Sequence, residues 1–285
     1  MHLVKMTQPN LPEADPSQPD TTPELPPAKR ELLVEERRRM IQELVDAQQR
    51  ATVEQLAAHF GTSMVTIRSD LNALAASGGI VRSHGGALSL RDTDELPISV
   101  KRNLRHAEKV RIAAAAALLV KDGETIMLDS GTTTAELAKQ IRRLKLTSLN
   151  VVTNALNIAV LLADVPHVNL IMLGGVLRPN SFSLSGPQAE AALQGLNVDR
   201  LFLGVDSLDA DIGLMTPHLL EAQLNAQMIK ISRQVIAVAD SSKLMRRNLS
   251  VIAKVEQIHQ LITDRDADPH VVDDLRRRGV QVDLV

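Results

Sequence analysis

The sequence lacks cysteine, tryptophan and tyrosine, and it has only three phenylalanines among 285 residues. The lack of cysteine excludes a disulfide scaffold, a thiolate zinc site, an iron–sulfur cluster and a cysteine nucleophile. So few aromatic residues cannot build the stacked platforms that bind single-stranded nucleic acid. The longest apolar run, residues 112–120, is far shorter than the roughly 20 residues that span a bilayer. The first residues carry no signal-peptide pattern, so we expect a cytoplasmic protein.

The composition is that of a folded chain, with 44% hydrophobic and 23% charged residues. At roughly 150 residues per domain, this length predicts two domains. Residues 1–28 hold seven of the 13 prolines, so we predict a disordered tail over residues 1–30. The formal charge of −2 does not by itself point to a nucleic-acid partner.

Residues 31–90 have the pattern of three short helices and a hairpin. Apolar residues recur at helical spacing over residues 40–45, 53–60 and 64–74, and two short strands follow around a glycine turn in residues 80–88. Thr52 and Gln55 form a capping-box pair at the start of the second helix. The third helix begins at Ser63 and is expected to bury Met64, Ile67, Leu71 and Leu74. This order predicts a winged helix-turn-helix.

The third predicted helix carries small polar residues on the face opposite its apolar stripe. In a helix-turn-helix, that face enters the major groove of DNA. Arg82 suits a phosphate contact, and Arg68 suits a phosphate or a guanine edge. The predicted DNA-binding residues are Ser63, Thr66, Arg68, Ser69, Asn72, Arg82 and His84. The alternative is a small helical oligomerisation module whose polar face is only hydrated.

Residues 91–107 are predicted to form a linker, because the stretch 91–100 is polar, lacks periodicity and contains Pro97. Residues 108–285 alternate helical segments with short β-branched runs, which predicts an α/β domain with a parallel sheet. The predicted strands are 125–129, 149–153, 168–173, 200–205, 234–239, 258–263 and 280–284.

Small and polar residues follow the predicted strands of this second domain. Ligands of such sheets bind at the carboxyl ends of strands, so these residues predict one pocket. Residues 130–134 combine a glycine with hydroxyls at a helix start, which suits a phosphate. Lys243 would neutralise the phosphate, and Asp129 and Asp206 would bind sugar hydroxyls. The predicted effector-binding residues are Asp129, Ser130, Gly131, Thr132, Thr133, Asn154, Gly174, Gly175, Asp206, Glu221 and Lys243.

Each of these features also has a purely structural interpretation. The loop 130–134 also fits an ordinary capped strand-to-helix turn, the aspartates fit structural acceptors, and Lys243 fits a solvated side chain. Arg178 and Glu221 are weaker candidates for the pocket. The histidines at 84, 167, 218 and 259 have no metal-ligand spacing, so we predict neither a metal nor a cofactor.

Arg37, Ile41 and Val45, followed after seventeen residues by the segment 63–71, resemble the helix-turn-helix signature of the DeoR family of bacterial transcriptional regulators. The predicted wing, residues 82–87, is also similar to theirs. Ser69 departs from the family pattern, which usually has Arg, Lys or Asn there. The similarity continues through residues 129–133, 153–154, 174–175, 205–206, 221 and 240–243.

The resemblance implies a DNA-binding repressor of a carbohydrate-catabolic operon that a phosphorylated sugar releases from double-stranded operator DNA. We expect a homodimer or homotetramer, because one winged helix contacts too little DNA and paired half-sites match a two-fold protein, and we predict no catalytic residues. The family's sensor domain is similar to ribose 5-phosphate isomerases. This similarity leaves an isomerase as an alternative, with Glu221 or Asp129 as base and Lys243 stabilising an enediolate.

Within the family, the whole-length pattern is most similar to regulators of N-acetylgalactosamine and related amino sugars. An acetamido group needs an additional donor or acceptor beside the pocket. Asn154 and Asn180 are the candidates for that contact, although both also fit turn formation.

Overall fold

The computed structural model describes residues 33–48, 50–76, 79–83, 85–89 and 96–285. The predicted N-terminal tail, His84 and the start of the predicted linker lie outside these ranges.

The N-terminal domain consists of three helices and a small antiparallel sheet. Its elements are α1 (Val34–Gln48), β1 (Arg50–Thr52), α2 (Val53–Phe60), α3 (Met64–Ala76), β2 (Ile80–Ser83) and β3 (Gly86–Ser89). The strand order is β1-β3-β2. The three predicted helices and the hairpin are present, and β1 adds a strand that the sequence did not predict. This is a winged helix-turn-helix.

Local hydrogen bonds fix the start of α2 and the turn between α2 and α3. The Thr52 hydroxyl accepts from the Gln55 amide at 3.1 Å, and the Gln55 side chain accepts from the Thr52 amide at 2.8 Å, which completes the predicted capping box. Gly61 ends α2 with a φ of 60°, a conformation that glycine adopts without strain. The Ser63 hydroxyl then accepts from the Thr66 amide at 3.1 Å and caps α3.

The buried stripe of α3 is shorter than predicted. Ile67, Leu71 and Leu74 are buried in the core of this domain, whereas Met64 is 44% exposed. The prediction for Met64 was therefore wrong, because the part of α3 that packs on the core begins one turn later, at Ile67.

A helix lies within the stretch that was predicted to be linker. Helix α4 (Ile98–Asn103) precedes α5 (His106–Ala117), and Arg105 between them adopts a φ of 48°. The six residues of α4 are too few to show a helical period in the sequence.

The second domain is built on a seven-stranded parallel sheet with the order β15-β14-β12-β9-β4-β5-β6. All seven predicted strands are present. They are β4 (Thr125–Leu128), β5 (Leu149–Thr153), β6 (Val168–Met172), β9 (Val198–Gly204), β12 (Ser232–Val238), β14 (Gln260–Thr263) and β15 (Gln281–Leu284). The predicted α/β class is confirmed.

Short strands outside the main sheet were not predicted. They are β7 (Val176–Arg178), β8 (Ser183–Ser185), β10 (Ser207–Asp209), β11 (Gly213–Thr216) and β13 (Ser250–Ala253). Strands β7 and β8 form a hairpin, and the other three form an antiparallel sheet in the order β10-β11-β13.

Helices cover both faces of the parallel sheet, because alternate residues of each strand point to opposite sides. Ile126 and Leu128 pack with α5, α6 and α7, whereas Met127 packs with α9 and α10 on the other face. The helices of this domain after α5 are α6 (Thr132–Ile141), α7 (Leu156–Leu162), α8 (Pro187–Ala192), α9 (Leu219–Lys230) and α10 (Pro269–Arg277). Within the described ranges, every helix is too short or too polar to cross a bilayer.

Candidate DNA interface and effector pocket

Helix α3 presents a solvent-exposed face of polar residues beside Met64 and Val65. Arg68, Ser69 and Asn72 are exposed, and no ion pair involves Arg68 among the described residues. The hydroxyls of Ser63 and Thr66 lie 2.9 Å apart at the start of the helix. These five predicted DNA-binding residues therefore lie along one helix, and the exposed ones are available to a partner.

Arg82 on β2 is placed differently from the α3 residues. Its side chain is only partly exposed, and its Nη1 atom is buried without a hydrogen-bond partner within the described ranges. Strand β2 contacts α4, so this side of the wing faces the second domain. Arg82 therefore belongs to the wing strand that contacts α4 and not to α3.

A pocket opens at the carboxyl ends of β4, β9 and β12, the three neighbouring strands near the middle of the parallel sheet. It contains most of the residues that were predicted to bind an effector. Those lining it are Asp129, Ser130, Gly131, Thr132, Thr133, Asp206, Glu221 and Lys243. Asn180, the second candidate for an acetamido contact, also lines it.

The loop after β4 leads directly into α6, with Gly131 as the residue before the helix. The first amides of a helix have no acceptor inside the helix and attract negative charge. A side chain at Gly131 would place its Cβ 3.0 Å from the Thr134 hydroxyl and 3.2 Å from the Cα of Gly204. The close approach of the two loops therefore favours glycine at this position, and the first residues of α6 line the pocket.

Asp129 stabilises this loop from within. Its carboxylate accepts from the Thr134 hydroxyl at 2.7 Å and from the Gly131 amide at 3.1 Å. Burial raises the pKa of Asp129 to about 6, although these hydrogen bonds favour the ionised form. The carboxylate thus has a structural role in addition to its place in the pocket wall.

Asp206 lies opposite, in the turn between β9 and β10. Its carboxylate accepts from Lys101 Nζ at 2.8 Å and from the Thr216 hydroxyl at 3.1 Å. Burial opposes its ionisation, but the charges of Lys101 and Lys243 outweigh burial and lower the pKa of Asp206. Asp206 is therefore ionised at neutral pH and balances the lysines around it.

Glu221 and Arg178 form an ion pair at the edge of the pocket. Arg178 Nη1 lies 2.8 Å from Glu221 Oε2, and both side chains are mostly buried. Burial and the negative charges of Asp206 and Asp129 outweigh the lysine and arginine partners and raise the pKa of Glu221 to about 7. The Glu221 carboxyl is thus a pocket group whose charge changes around neutral pH.

Lys243 lies in a short 3-10 turn after β12. The Asp240 side chain caps this turn by accepting from the Ser242 amide at 3.1 Å. Burial lowers the pKa of Lys243, while Asp206 and Asp240 favour its charged form. The ammonium group therefore stands in the pocket wall among carboxylates.

Three predicted effector residues lie away from this pocket, because they follow β5 and β6 on the far side of β4. Asn154 binds the β7–β8 hairpin, donating from Nδ2 to the Leu184 carbonyl at 3.1 Å. Gly175 has a φ of 118° and passes so close to β8 that an added Cβ would lie 2.5 Å from the Ser185 carbonyl oxygen. Gly174, next to it, is exposed. The structure thus gives Asn154 and Gly175 roles in holding the hairpin, and it does not bring Asn154, Gly174 or Gly175 to the pocket.

Conversely, the stretch predicted as linker and the first residues of the predicted sensor domain supply basic residues that the sequence analysis missed. Lys101 of α4, Arg105 and Lys109 of α5 all line the pocket. No local spacing reveals them, because Arg105 adopts a φ of 48° between α4 and α5, so the three residues do not share one helix. Among the described residues, no cluster of three or more acidic or histidine side chains is arranged to hold a metal ion.

The fold defines a class: a winged helix-turn-helix joined to an α/β domain with a polar pocket at the carboxyl ends of three sheet strands. Residues 37–93 match the DeoR-like helix-turn-helix domain, and residues 104–265 match the DeoR C-terminal sensor domain. The chain belongs to the DeoR family of transcriptional regulators, as the sequence motifs predicted.

Relatives match over nearly the whole chain. One from Escherichia coli O157:H7, named as a transcriptional repressor of the aga operon, is 40% identical over 253 residues, which is 88% of this chain and 93% of that protein. The glycerol-3-phosphate regulon repressor of Escherichia coli K12 is 31% identical and covers 85% of this chain and 95% of its own length. With these relatives, the chain is a transcriptional regulator rather than an enzyme.

Ribose 5-phosphate isomerase A from Methanocaldococcus jannaschii shares part of the fold. It has 22% sequence identity and a TM-score of 0.34, and the match covers 48% of this chain and 53% of the isomerase. A likeness at this level carries no functional conclusion.

Proposed function

We propose that this protein is a repressor of a carbohydrate-catabolic operon and that a phosphorylated sugar releases it from operator DNA. One observation carries the effector part of the proposal. The open N terminus of α6 shares a pocket with the ammonium groups of Lys101 and Lys243. Backbone amides at a helix start, together with nearby cations, form a site for phosphate.

The carboxylates in the same pocket impose a second requirement on the ligand, which must offer hydrogen-bond donors as well as a negative charge. A pocket for an inorganic anion alone would gain nothing from Asp206 and Glu221, whose negative charges repel that anion. Carboxylates accept hydrogen bonds from hydroxyl groups, so a ligand with a phosphate at one end and several hydroxyls at the other satisfies both parts of the wall. A sugar phosphate has this chemistry.

We further propose an amino-sugar phosphate as the effector. The relative that matches over 93% of its own length is named for the aga operon. Asn180, at the pocket wall, offers an amide to a nitrogen substituent on the sugar. Asn154 is no longer a candidate for this contact, since its side chain binds the β7–β8 hairpin.

The DNA part of the proposal rests on α3 and on subunit pairing. Arg68, Ser69 and Asn72 are exposed along a helix whose opposite side is fixed in the core. Val65, 73% exposed beside them, adds an apolar group that suits a thymine methyl. Since one winged helix contacts little DNA, we propose that a homodimer or homotetramer binds paired half-sites.

Two titrations test this proposal. A fluorescent duplex, selected from a random pool by the purified protein, reports DNA binding through its anisotropy. Calorimetry with N-acetylgalactosamine 6-phosphate, galactosamine 6-phosphate, glucosamine 6-phosphate, ribose 5-phosphate and glycerol 3-phosphate then identifies the effector, with unphosphorylated N-acetylgalactosamine as control. We expect tight DNA binding that one phosphorylated amino sugar weakens by at least about fivefold.

The outcomes separate the parts of the proposal. DNA binding that none of the sugar phosphates changes would overturn the effector. If only glycerol 3-phosphate changes DNA binding, the effector is a smaller phosphate ester and not an amino-sugar phosphate. If the protein shows no salt-dependent binding to DNA, the DNA-binding role of α3 is overturned.

A further inference from the structure

Helix α4 lies between the two proposed sites. It contacts strand β2 of the wing on one side and α6 of the second domain on the other. The pocket wall includes Lys101 from α4 and also Ala75 from the last turn of α3. The helix proposed to read DNA and the pocket proposed to bind the effector therefore meet at α4.

Specific polar contacts hold α4 to the pocket. Lys101 Nζ binds the Asp206 carboxylate at 2.8 Å, and the pair is about one-fifth exposed. The Ile98 amide donates to the Asn180 carbonyl at 2.6 Å. The buried Lys109 ammonium donates to the carbonyls of Lys101 and Leu104, at the end of α4. Each contact joins α4 to a residue that also lines the pocket.

Arg105 fixes the junction between α4 and α5 to the sheet. Its guanidinium lies 3.1 Å from Asp264 Oδ1 and 2.9 Å from Asp266 Oδ2, and its Nε lies 3.5 Å from Asp240 Oδ1. Asp240 follows β12, and Asp264 follows β14. Arg105 is therefore fixed to the sheet just after α4, and Lys101, in the last turn of α4, reaches the pocket beside this anchor.

From these contacts we propose that Lys101 is an effector-binding residue supplied by α4, and that through it the bound anion acts on the DNA-binding domain. The inference rests on the proposed function. A phosphate at the start of α6 attracts the Lys101 ammonium and competes with Asp206 for it. The altered Lys101 contact shifts α4, and with it the wing strand that α4 contacts, while the end of α3 meets the same pocket at Ala75.

The substitution Lys101→Met tests this inference, because it removes the charge and keeps much of the length of the side chain. Arg102→Met is the matched control, since Arg102 is the next residue of α4, carries the same charge, is exposed and does not line the pocket. Lys101→Arg keeps the positive charge. The probes are the selected duplex and the amino-sugar phosphate that binds the wild type most tightly, for which we expect N-acetylgalactosamine 6-phosphate.

Two quantities are measured for each variant: the dissociation constant of the sugar phosphate by calorimetry, and the ratio of DNA dissociation constants with and without saturating sugar phosphate. For Lys101→Met we expect about tenfold weaker sugar-phosphate binding, and a ratio close to one. Lys101→Arg is expected to retain much of the response, and Arg102→Met is expected to match the wild type.

A merely structural role of Lys101 predicts a different result: weaker folding with an unchanged ratio. A Lys101→Met protein that folds and responds to the sugar phosphate as the wild type does would overturn the inference and leave the proposed function standing. A wild type that no sugar phosphate affects would instead overturn the proposed function.

A second measurement decides the matter if Lys101→Met does not fold. The chain has no cysteine, so Arg102→Cys gives a single site for an environment-sensitive fluorophore on α4. A change in its emission when the sugar phosphate saturates the pocket supports a shift of α4. Unchanged emission at saturation would overturn the coupling role.

Discussion

Asp70 of α3 accepts a hydrogen bond from Arg37 Nε of α1 at 2.6 Å, and the neighbouring Arg38 Nε binds its other oxygen at 3.1 Å. The Asp70 side chain is only 2% exposed, whereas the two arginines retain some contact with water. A buried carboxylate with two charge-assisted partners fixes the rotation of α3 about its axis. The orientation of the exposed α3 face therefore depends on α1.

The substitution Asp70→Ala is expected to lower the free energy of unfolding of the N-terminal domain by about 2 kcal/mol, because two arginines lose their shared acceptor inside the fold. Urea denaturation followed by circular dichroism measures this loss. Glu43→Ala is the control, since Glu43 pairs with Arg39 at 3.9 Å and both side chains are mostly exposed. Equal effects of the two substitutions would contradict a structural role for Asp70.

Arg68→Ala is expected to weaken binding to the selected duplex at least tenfold and to leave sugar-phosphate binding unchanged, because the guanidinium is exposed on α3 and does not line the pocket. Anisotropy at several salt concentrations distinguishes its contacts. A salt slope reduced by about one indicates a phosphate contact, whereas relaxed sequence preference indicates a guanine contact. Arg233→Ala, at an exposed site in the second domain, is the control. Joint loss of both activities would reveal a folding defect instead.

Gly204→Ala tests the close approach of the two pocket loops. The added Cβ would lie 3.2 Å from both Gly131 Cα and Asp129 Oδ2, so the loops must separate slightly. We expect roughly tenfold weaker sugar-phosphate binding with DNA binding intact. Gly174→Ala is the control, because nothing lies within 4 Å of its added Cβ. If both variants bind the sugar phosphate like the wild type in a calorimetric titration, the two pocket loops do not form the effector site.

We expect Glu221 to make the proposed sugar-phosphate binding depend on pH. Its pKa of about 7, raised by burial and by Asp206 and Asp129, means that the carboxyl is largely neutral at pH 6 and charged at pH 8. The charged form repels an anion, so binding is expected to weaken by about threefold as the pH rises through 7. Calorimetry between pH 6 and 8 measures this trend.

Glu221→Gln serves as the reference for this trend. The second ionisation of the sugar phosphate, near pH 6, affects both proteins alike, so the ratio of their dissociation constants isolates the contribution of Glu221. A ratio that stays constant over this range would show that Glu221 does not titrate there.

The sequence predicted the main sheet because its strands are β-branched runs between helices, such as residues 149–153 and 168–172. Strands β7, β10 and their partners have three or four residues, which is too short for a pattern. Helix α4 has six residues without periodicity. Met64 matched the stripe of α3 but precedes the part that packs, so local spacing alone could not place it.

The pocket was predictable where it depends on strand ends and not where it depends on packing between distant segments. Asp129, Gly131 and Asp206 follow strands that are neighbours in the sheet. Asn154 and Gly175 also follow strands, but the strand order places them beside a hairpin that the sequence did not reveal. Lys101 reaches the pocket because α4 folds back over it, and no local pattern encodes that contact.

The anchoring of Arg105 by Asp240 and Asp264 sets a rule for building hybrid regulators. If a foreign DNA-binding domain is joined after α4, the hybrid loses the native α4. The second domain then has no native helix that connects it to the foreign DNA-binding domain. A junction placed ahead of residue 96 instead carries α4, Arg105 and α5 along as one cassette with the sensor, while the wing that α4 contacts comes from the donor. In such hybrids, the fit between that wing and α4 becomes the part to redesign.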